Sequence, residues 1–173
     1  WEKRNRFEEK EIGSCCRSGG RKVCGYTCES VEVKRGGKEK VMILGADGVQ
    51  VGSRFVATPE ASSHQNFKDL VVKAKEGDTQ LTLKELAPVR MLKNKFFNQV
   101  IELYSKNPSK EDLIELLGRA RAKKGMFEGN LEEGELEIGQ IAGLIHDIKP
   151  AATILHDMLK EYELAKKEVS NLF

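Results

Sequence analysis

A chain of 173 residues, 39% hydrophobic and 32% charged, has the length and composition of one globular domain of ordinary size. Its net charge of +2 gives no reason to expect nucleic acid or an anionic membrane as a partner. No apolar run approaches the roughly 20 residues that a membrane-spanning helix needs, and nothing near Trp1 resembles the apolar core of a signal peptide. We therefore expect a cytoplasmic protein, or a piece of one.

Residues 1–40 differ from the rest of the chain. They hold eleven Lys or Arg and seven Asp or Glu, a net charge of +4, and they show little helix or strand period. All four cysteines lie here: Cys15, Cys16, Cys24 and Cys28. Three interpretations stay open: sequence foreign to the rest of the chain, from a truncated gene or a shifted reading frame; a divergent extension; or a zinc site with four thiolates. The cysteine spacing lacks the paired Cys-x2-Cys arms of common zinc modules, so we predict no metal site.

The next elements are a strand and a helix. Residues 41–44 suit the end of a helix that Gly45 stops, and residues 48–52 suit a short buried strand. Thr58, followed by Pro59 and Glu60, predicts the N-cap of a helix that runs to about residue 75. Its predicted inward face is Phe67, Leu70, Val71 and Ala74.

Beyond residue 76 the chain is predicted to be mainly helical. Residues 79–83 alternate in polarity and predict a strand, whereas residues 89–104 have apolar positions at helical spacing. Ser109 and Asp112 form an approximate capping box for a further helix. Residues 125–134 are predicted to be a loop, with a solvated acidic run at 132–135.

Two more helices are predicted before the chain ends. Residues 138–145 have a helical period, and Pro150 permits a new helix start. The predicted inward positions of this last helix are Ile154, Leu155, Met158, Leu159 and Tyr162.

One strand end suits an anion. The predicted strand stops at Gly52-Ser53, where a glycine lets a phosphate approach the backbone and a hydroxyl adds a donor. In barrels of alternating strands and helices, cofactor phosphates commonly bind at the C-terminal end of a late strand. Gly52 and Ser53 are therefore a candidate phosphate site.

Four blocks of the sequence carry a family resemblance. They are residues 45–55, the His-Gln-Asn-Phe-Lys segment at 64–68, the Val-Arg-Met-Leu-Lys-Asn segment at 89–94, and the Gly-Gln-Ile-Ala-Gly-Leu-Ile segment at 139–145. In order and spacing they resemble the nitronate monooxygenase family, formerly the 2-nitropropane dioxygenases, which includes flavin-dependent enoyl-ACP reductases. The resemblance covers about residues 41–167. It implies an α/β fold, in which the chain supplies the C-terminal part of a TIM (β/α)8 barrel followed by a mainly helical region.

The resemblance also implies a cofactor and its contacts. The cofactor is FMN, and its phosphate would meet Gln50, Val51, Gly52 and Ser53. Gly139 and Gln140 would lie near the flavin pocket, although tight helix packing is the favoured explanation for glycines at 139 and 143.

No catalytic residue is assigned. The family's Ala-Gly-Gly-Ile strand end and its Gly-Gly-His segment, which supplies the catalytic histidine, have no counterpart upstream of residue 45. His64, His146 and His156 are not offered as general bases. Arg90, Lys93 and Asn94 are most simply an exposed basic helix face.

The implied organisation has three parts: an atypical segment at 1–40, the last βα unit of a flavin-binding barrel at 41–75, and a helical region at 76–173. The expected function is oxidation of alkyl nitronates with O2, and the alternative is reduction of an enoyl thioester with NAD(P)H. The expected partners are thus these small molecules, without nucleic acid or membrane, and a homodimer is the expected assembly if the chain associates. We expect the chain alone to bind FMN poorly and to have no turnover. A rival of another class is a non-catalytic interaction module built on helices 111–124 and 151–168.

Overall fold

The computed structural model describes residues 15–18, 21–25 and 48–171, and the side chains of 48–171. The chain divides into two compact units, one made of residues 1–52 and 159–173 and the other of residues 53–158. The predicted helix end at 41–44 lies outside the described residues.

The first unit contains a three-stranded sheet. Its strands are β1 (Cys15–Ser18), β2 (Arg21–Gly25) and β3 (Gly48–Gln50). β1 pairs antiparallel with β2, and β2 pairs parallel with β3, with Val23 opposite Gly48. β1 and β2 lie in the part of the chain whose sequence shows little strand period, and backbone pairing defines them without a side-chain alternation that periodicity can detect. β3 is shorter than predicted, and its residues are half-buried or exposed rather than buried.

The second unit begins with two helices, α1 (Ser53–Val56) and α2 (Gln65–Lys73). The predicted N-cap Thr58 is wrong, since His64 caps α2. The Thr58 hydroxyl instead donates to the Phe55 carbonyl at 2.9 Å and accepts from the Ala61 N–H at 3.1 Å, which closes one isolated turn. The predicted inward face of α2 is confirmed: Phe67, Val71 and Ala74 are buried and Leu70 packs against them.

A β-hairpin follows. β4 (Thr79–Thr82) confirms the predicted strand, and β5 (Val89–Leu92) pairs with it antiparallel. The helix predicted from residue 89 is therefore wrong over 89–92. β5 is also bonded on its other side, where the Leu92 N–H donates to Leu136 and the Ile138 N–H donates to Arg90. These partners lie far along the chain, so the local spacing of apolar residues did not predict them.

The remaining elements are helical. They are α3 (Lys95–Tyr104), α4 (Lys110–Leu117), a π-helix (Lys123–Phe127), a 3-10 helix (Gln140–Leu144) and α5 (Ala151–Ser170). The capping box between Ser109 and Asp112 is present. The 3-10 helix replaces the longer helix predicted at 138–145, and α5 begins directly after Pro150 as predicted.

Two apolar clusters form the core of the second unit, and β5 lies between them. Because successive strand residues point to opposite faces, Met91 enters one cluster and Leu92 the other. The cluster that holds Leu92 also contains Phe67, Leu136 and Ile145, and the cluster that holds Met91 contains residues from α3 and α4 such as Phe96 and Leu113.

The inward stripe predicted for α5 is only partly correct. Ile154 is buried, but Leu155 and Leu159 are 53% and 57% exposed. Met158 and Tyr162 are half-buried. A helical period shows which residues share a face, whereas burial of that face depends on what packs against it.

Candidate functional site

The structure brings together two segments that the sequence marks as candidates. Ser53 is the first residue of α1 and is only 8% exposed. Its Oγ accepts a hydrogen bond from the Gly139 N–H at 3.2 Å, across 86 positions of sequence. Gly139 is buried and is the N-cap of the 3-10 helix, and Gln140, the first residue of that helix, is exposed. The start of α1 at Ser53 and the Gly139-Gln140 segment are therefore neighbours.

The other three predicted phosphate contacts, Gln50, Val51 and Gly52, belong to the first unit. Gln50 and Gly52 are exposed, and Val51 is half-buried. A Cβ built on Gly52 would have no heavy atom within 4 Å, so the space beside this backbone is open. An anion can therefore approach the Gly52 backbone without steric hindrance.

Gly143 has a packing role. A Cβ at this position would lie 3.0 Å from the Lys75 carbonyl carbon and 3.1 Å from the Glu76 nitrogen. The 3-10 helix thus approaches the backbone after α2 too closely for a side chain. This favours the packing explanation for Gly143.

A charged pair fastens α1 to the segment after the 3-10 helix. Arg54 forms an ion pair with the Asp147 carboxylate and also donates to the Asp147 carbonyl at 3.1 Å. Lys149 lies 3.1 Å from the same carboxylate. Desolvation raises the pKa of Asp147, but the hydrogen bonds and positive charges of Lys149 and Arg54 outweigh it and hold this pKa below its ordinary value. Asp147 is therefore ionised at neutral pH.

A third contact joins the same regions. Both carboxylate oxygens of Glu60 accept from the Ala151 N–H at 3.1 Å. Ala151 is the first residue of α5, where a negative charge suits the unpaired N–H groups and the helix dipole. Glu60, predicted to lie in the first turn of a helix of its own, is instead beside the start of a different helix.

The His64 block has a structural role. The His64 Nδ1 accepts from the Asn66 N–H at 3.1 Å, and the His64 N–H donates to the Met126 carbonyl at 2.7 Å. Asn66 donates to the Gly129 carbonyl at 3.2 Å, and Gly129 lies so close to the imidazole that a Cβ there would be 2.4 Å from Nδ1. These contacts hold the loop after the π-helix against α2.

The block at 90–94 is not an exposed basic helix face, so that interpretation is wrong. Arg90 lies in β5 and donates to the Thr79 carbonyl and hydroxyl at 3.4 and 3.3 Å. Lys93 donates to the Gly77 carbonyl at 2.8 Å. Asn94 is the N-cap of α3, and its side chain also donates to the carbonyls of residues 131 and 134. All three side chains bind backbone groups of neighbouring segments.

The acidic run at 132–135 is not wholly solvated, because Glu135 is only 5% exposed. Desolvation and the nearby charge of Glu137 raise the pKa of Glu135 to about 7, although Arg121 opposes the shift. Desolvation also raises the pKa of Glu137. An acid with a raised pKa in the folded protein binds its proton more tightly there than in the unfolded chain.

Folding stability should therefore fall as the pH rises from about 4.5 to about 7, the interval between the unfolded and folded pKa values of Glu135. We expect Glu135→Gln to remove most of this fall. The difference in free energy of unfolding between variant and parent should therefore be about 1–3 kcal/mol more favourable to the variant at pH 8 than at pH 5. Urea unfolding at both pH values tests this, with exposed Glu132→Gln as the control. An unchanged pH dependence in Glu135→Gln would show that the buried carboxylate is not its source.

Within residues 48–171 no group of three or more His, Cys, Asp or Glu side chains is placed to hold a metal ion. The hypothesis of a zinc site concerns cysteine side chains outside those described. In the described part of the chain, no helix has the length and apolar character needed to cross a bilayer.

Comparisons with known proteins agree with the resemblance. The model of the nitronate monooxygenase family matches residues 33–161. A probable nitronate monooxygenase of Staphylococcus saprophyticus is 30% identical over 114 residues, which are 65% of this chain and 32% of that protein. A second, from Bacillus subtilis, is 30% identical over 105 residues, covering 60% of this chain and 30% of the relative. The chain thus spans about a third of the length of these curated relatives.

Solved structures give the same result. FabK from Thermotoga maritima is 35% identical, with a TM-score of 0.67 over 76% of this chain and 42% of that one. A mutant of the same FabK is 32% identical, with a TM-score of 0.68, over 84% of this chain and 44% of the mutant chain. The enoyl reductase domain of MlnA from Bacillus amyloliquefaciens is 17% identical, with a TM-score of 0.60 over 78% and 47%, a likeness of fold alone. The α/β class is confirmed, and the chain belongs to the nitronate monooxygenase family of oxidoreductases.

Proposed function

We propose that the chain is part of an FMN-dependent oxidoreductase and that the strand end at Gly52-Ser53 contacts the FMN phosphate. The contact between the Ser53 hydroxyl and the Gly139 N–H is the observation that carries this proposal. It joins the segment whose family counterpart contacts the flavin phosphate to the segment whose family counterpart lies near the flavin pocket. Gln50, the last residue of β3, and Val51, which follows it, complete the proposed contact set.

The residues present suit such a phosphate. Gly52 is exposed with open space beside it, so its backbone accepts a close neighbour. The Gly139 N–H donates to the Ser53 hydroxyl, and this hydrogen bond restrains Ser53 beside the proposed phosphate position. When bound, the flavin would supply the electron or hydride transfer, and the residues of this chain would bind and orient it.

The proposed reaction is oxidation of an alkyl nitronate with O2, as the names of the sequence relatives suggest. The second candidate is reduction of an enoyl thioester with NAD(P)H, which the likeness to FabK and to an enoyl reductase domain favours. We further propose that the chain forms the C-terminal part of a TIM barrel. Since FMN in the family is held by several strand ends, the chain alone should bind it weakly and show no turnover.

An NMR titration suits weak binding. We expect FMN to shift the backbone amide signals of Gly52 and Ser53 in a spectrum of the ¹⁵N-labelled chain, because a phosphate there changes their hydrogen bonding. Riboflavin, which lacks the phosphate, is the matched control ligand and should leave those two signals in place. Equal shifts with both ligands, or FMN shifts confined to other residues, would contradict the phosphate site and favour the interaction-module alternative.

The Ser53→Ala variant tests the hydroxyl. Loss of one hydrogen bond should weaken FMN binding about fivefold, equivalent to about 1 kcal/mol. Ser62→Ala, at an exposed position of the same region, should bind FMN as the parent chain does. An unaltered affinity of Ser53→Ala would remove this side chain from the proposed site and leave only the backbone contacts.

A further inference from the structure

Three polar contacts tie residues 53–60 to residues 139–151. They are the Ser53 hydroxyl with the Gly139 N–H, the Arg54 guanidinium with Asp147, and the Glu60 carboxylate with the Ala151 N–H. Their partners are separated by 86, 93 and 91 positions in the sequence. All three join the same two regions, and their partners follow the same order along the chain.

The Arg54–Asp147 contact is the strongest of the three by its chemistry. The Arg54 side chain is 17% exposed, and it uses two nitrogens, one on the Asp147 carboxylate and one on its carbonyl. Two charge-assisted bonds from one planar guanidinium fix orientation as well as distance. A lysine at this position would keep the charge but lose the paired geometry.

Arg54 directly follows Ser53 in the four-residue helix α1. A helix this short has little stability of its own, so its orientation depends on tertiary contacts. Phe55 and Val56 are half-buried, and Arg54 gives the helix a charged contact through its ion pair with Asp147. Because Arg54 and Ser53 are adjacent in α1, the Arg54–Asp147 contact and the Ser53–Gly139 hydrogen bond both bear on the orientation of this helix.

We propose that Arg54 is a positioning residue: through Asp147 it holds the Ser53 backbone, at the start of α1, in the orientation that accepts the flavin phosphate. The inference rests on the proposed function and adds to it the residue pair that sets affinity for the phosphate end of the cofactor. It makes a selective prediction, because only ligands with that phosphate depend on the pair.

The variants are chosen to separate positioning from general stability. Arg54→Met keeps the aliphatic stem and removes both bonds, Arg54→Lys keeps the charge, and Asp147→Asn removes the negative charge. Lys106→Met is the control, since it removes a positive charge from an exposed ion pair with Glu102 that involves neither residues 53–60 nor residues 139–151. Dissociation constants for FMN and riboflavin are measured by NMR titration of the 173-residue chain, together with the exchange rate of the Gly139 amide.

We expect Arg54→Met and Asp147→Asn to weaken FMN binding about tenfold, to leave riboflavin binding within about twofold, and to speed exchange of the Gly139 amide. Arg54→Lys should recover part of the FMN affinity, and Lys106→Met should match the parent. FMN affinity unchanged in Arg54→Met, or equal losses for FMN and riboflavin, would overturn the positioning role while the proposed function stands. A parent chain that does not distinguish FMN from riboflavin would overturn both.

Discussion

Replacing Gly134 with alanine is expected to unfold the second unit or to cost at least about 3 kcal/mol of stability. A Cβ at Gly134 would lie 2.1 Å from the Gly125 Cα, 2.4 Å from the Gly125 nitrogen and 2.6 Å from the Asn130 carbonyl oxygen. These are backbone atoms of a buried contact between the π-helix and the loop after it, so no side-chain rotation relieves the overlap. Both glycines are buried, and the backbone beside them must shift.

Urea unfolding followed by far-UV circular dichroism measures this effect. Gly48→Ala is the control, because a Cβ there meets nothing within 4 Å. It should change the midpoint little. If Gly134→Ala unfolded at the same urea concentration as the parent chain, the close approach of the two backbones would be wrong.

Replacing Asn94 with alanine should also have a large effect: we expect it to lower the free energy of unfolding by about 3 kcal/mol. The Asn94 Oδ1 accepts from the Phe97 N–H at 2.8 Å and so caps α3. Its Nδ2 donates to the Leu131 and Gly134 carbonyls, both at 2.8 Å. Loss of an N-cap costs about 1 kcal/mol, and each partly buried carbonyl left without its donor costs about 1 kcal/mol more.

Two variants sharpen this test. Asn98→Ala changes an exposed asparagine of the same helix and should be neutral or slightly stabilising. Asn94→Asp keeps the cap but places a carboxylate against two carbonyls, so it should be destabilising at pH 7 and recover as acid protonates the carboxyl. An Asn94→Ala chain as stable as Asn98→Ala would contradict the role of Asn94 as the joint between α3 and the 131–134 loop.

Local sequence signals predicted the elements whose causes are themselves local. The inward face of α2, strand β4, the Ser109 capping box and the start of α5 at Pro150 all follow from neighbouring residues. Each depends on a period or a cap within a few positions, and no distant partner is needed to produce it.

Elements that depend on distant partners were not predicted. β5 is a strand because β4 and residues 136–138 bond to its two sides, although Leu92 and Phe96 have helical spacing. His64, not Thr58, caps α2, and the His64 N–H also donates to the distant Met126 carbonyl. Glu135 lies in a run of charged residues, yet the fold buries it.

The candidate site was predicted by resemblance more than by pattern. Glycine and serine at a strand end suggest an anion site on physical grounds, but nothing local to Gly139 points to Ser53, 86 positions away. The family blocks suggested that both lie near one cofactor, and the structure shows that they touch. Arg54 and Asp147 were missed, because Arg54 had no role assigned within the 45–55 block, Asp147 lies outside the four blocks, and only the fold brings them together.

The position of the phosphate in a crystal structure of the FMN complex tests the central claim most directly. The phosphate oxygens should lie about 3 Å from the backbone nitrogens of Gly52 and Ser53, beside the Gly139 segment. A phosphate bound at any other part of the chain would contradict the proposed site and, with it, the assignment of this strand end to the flavin.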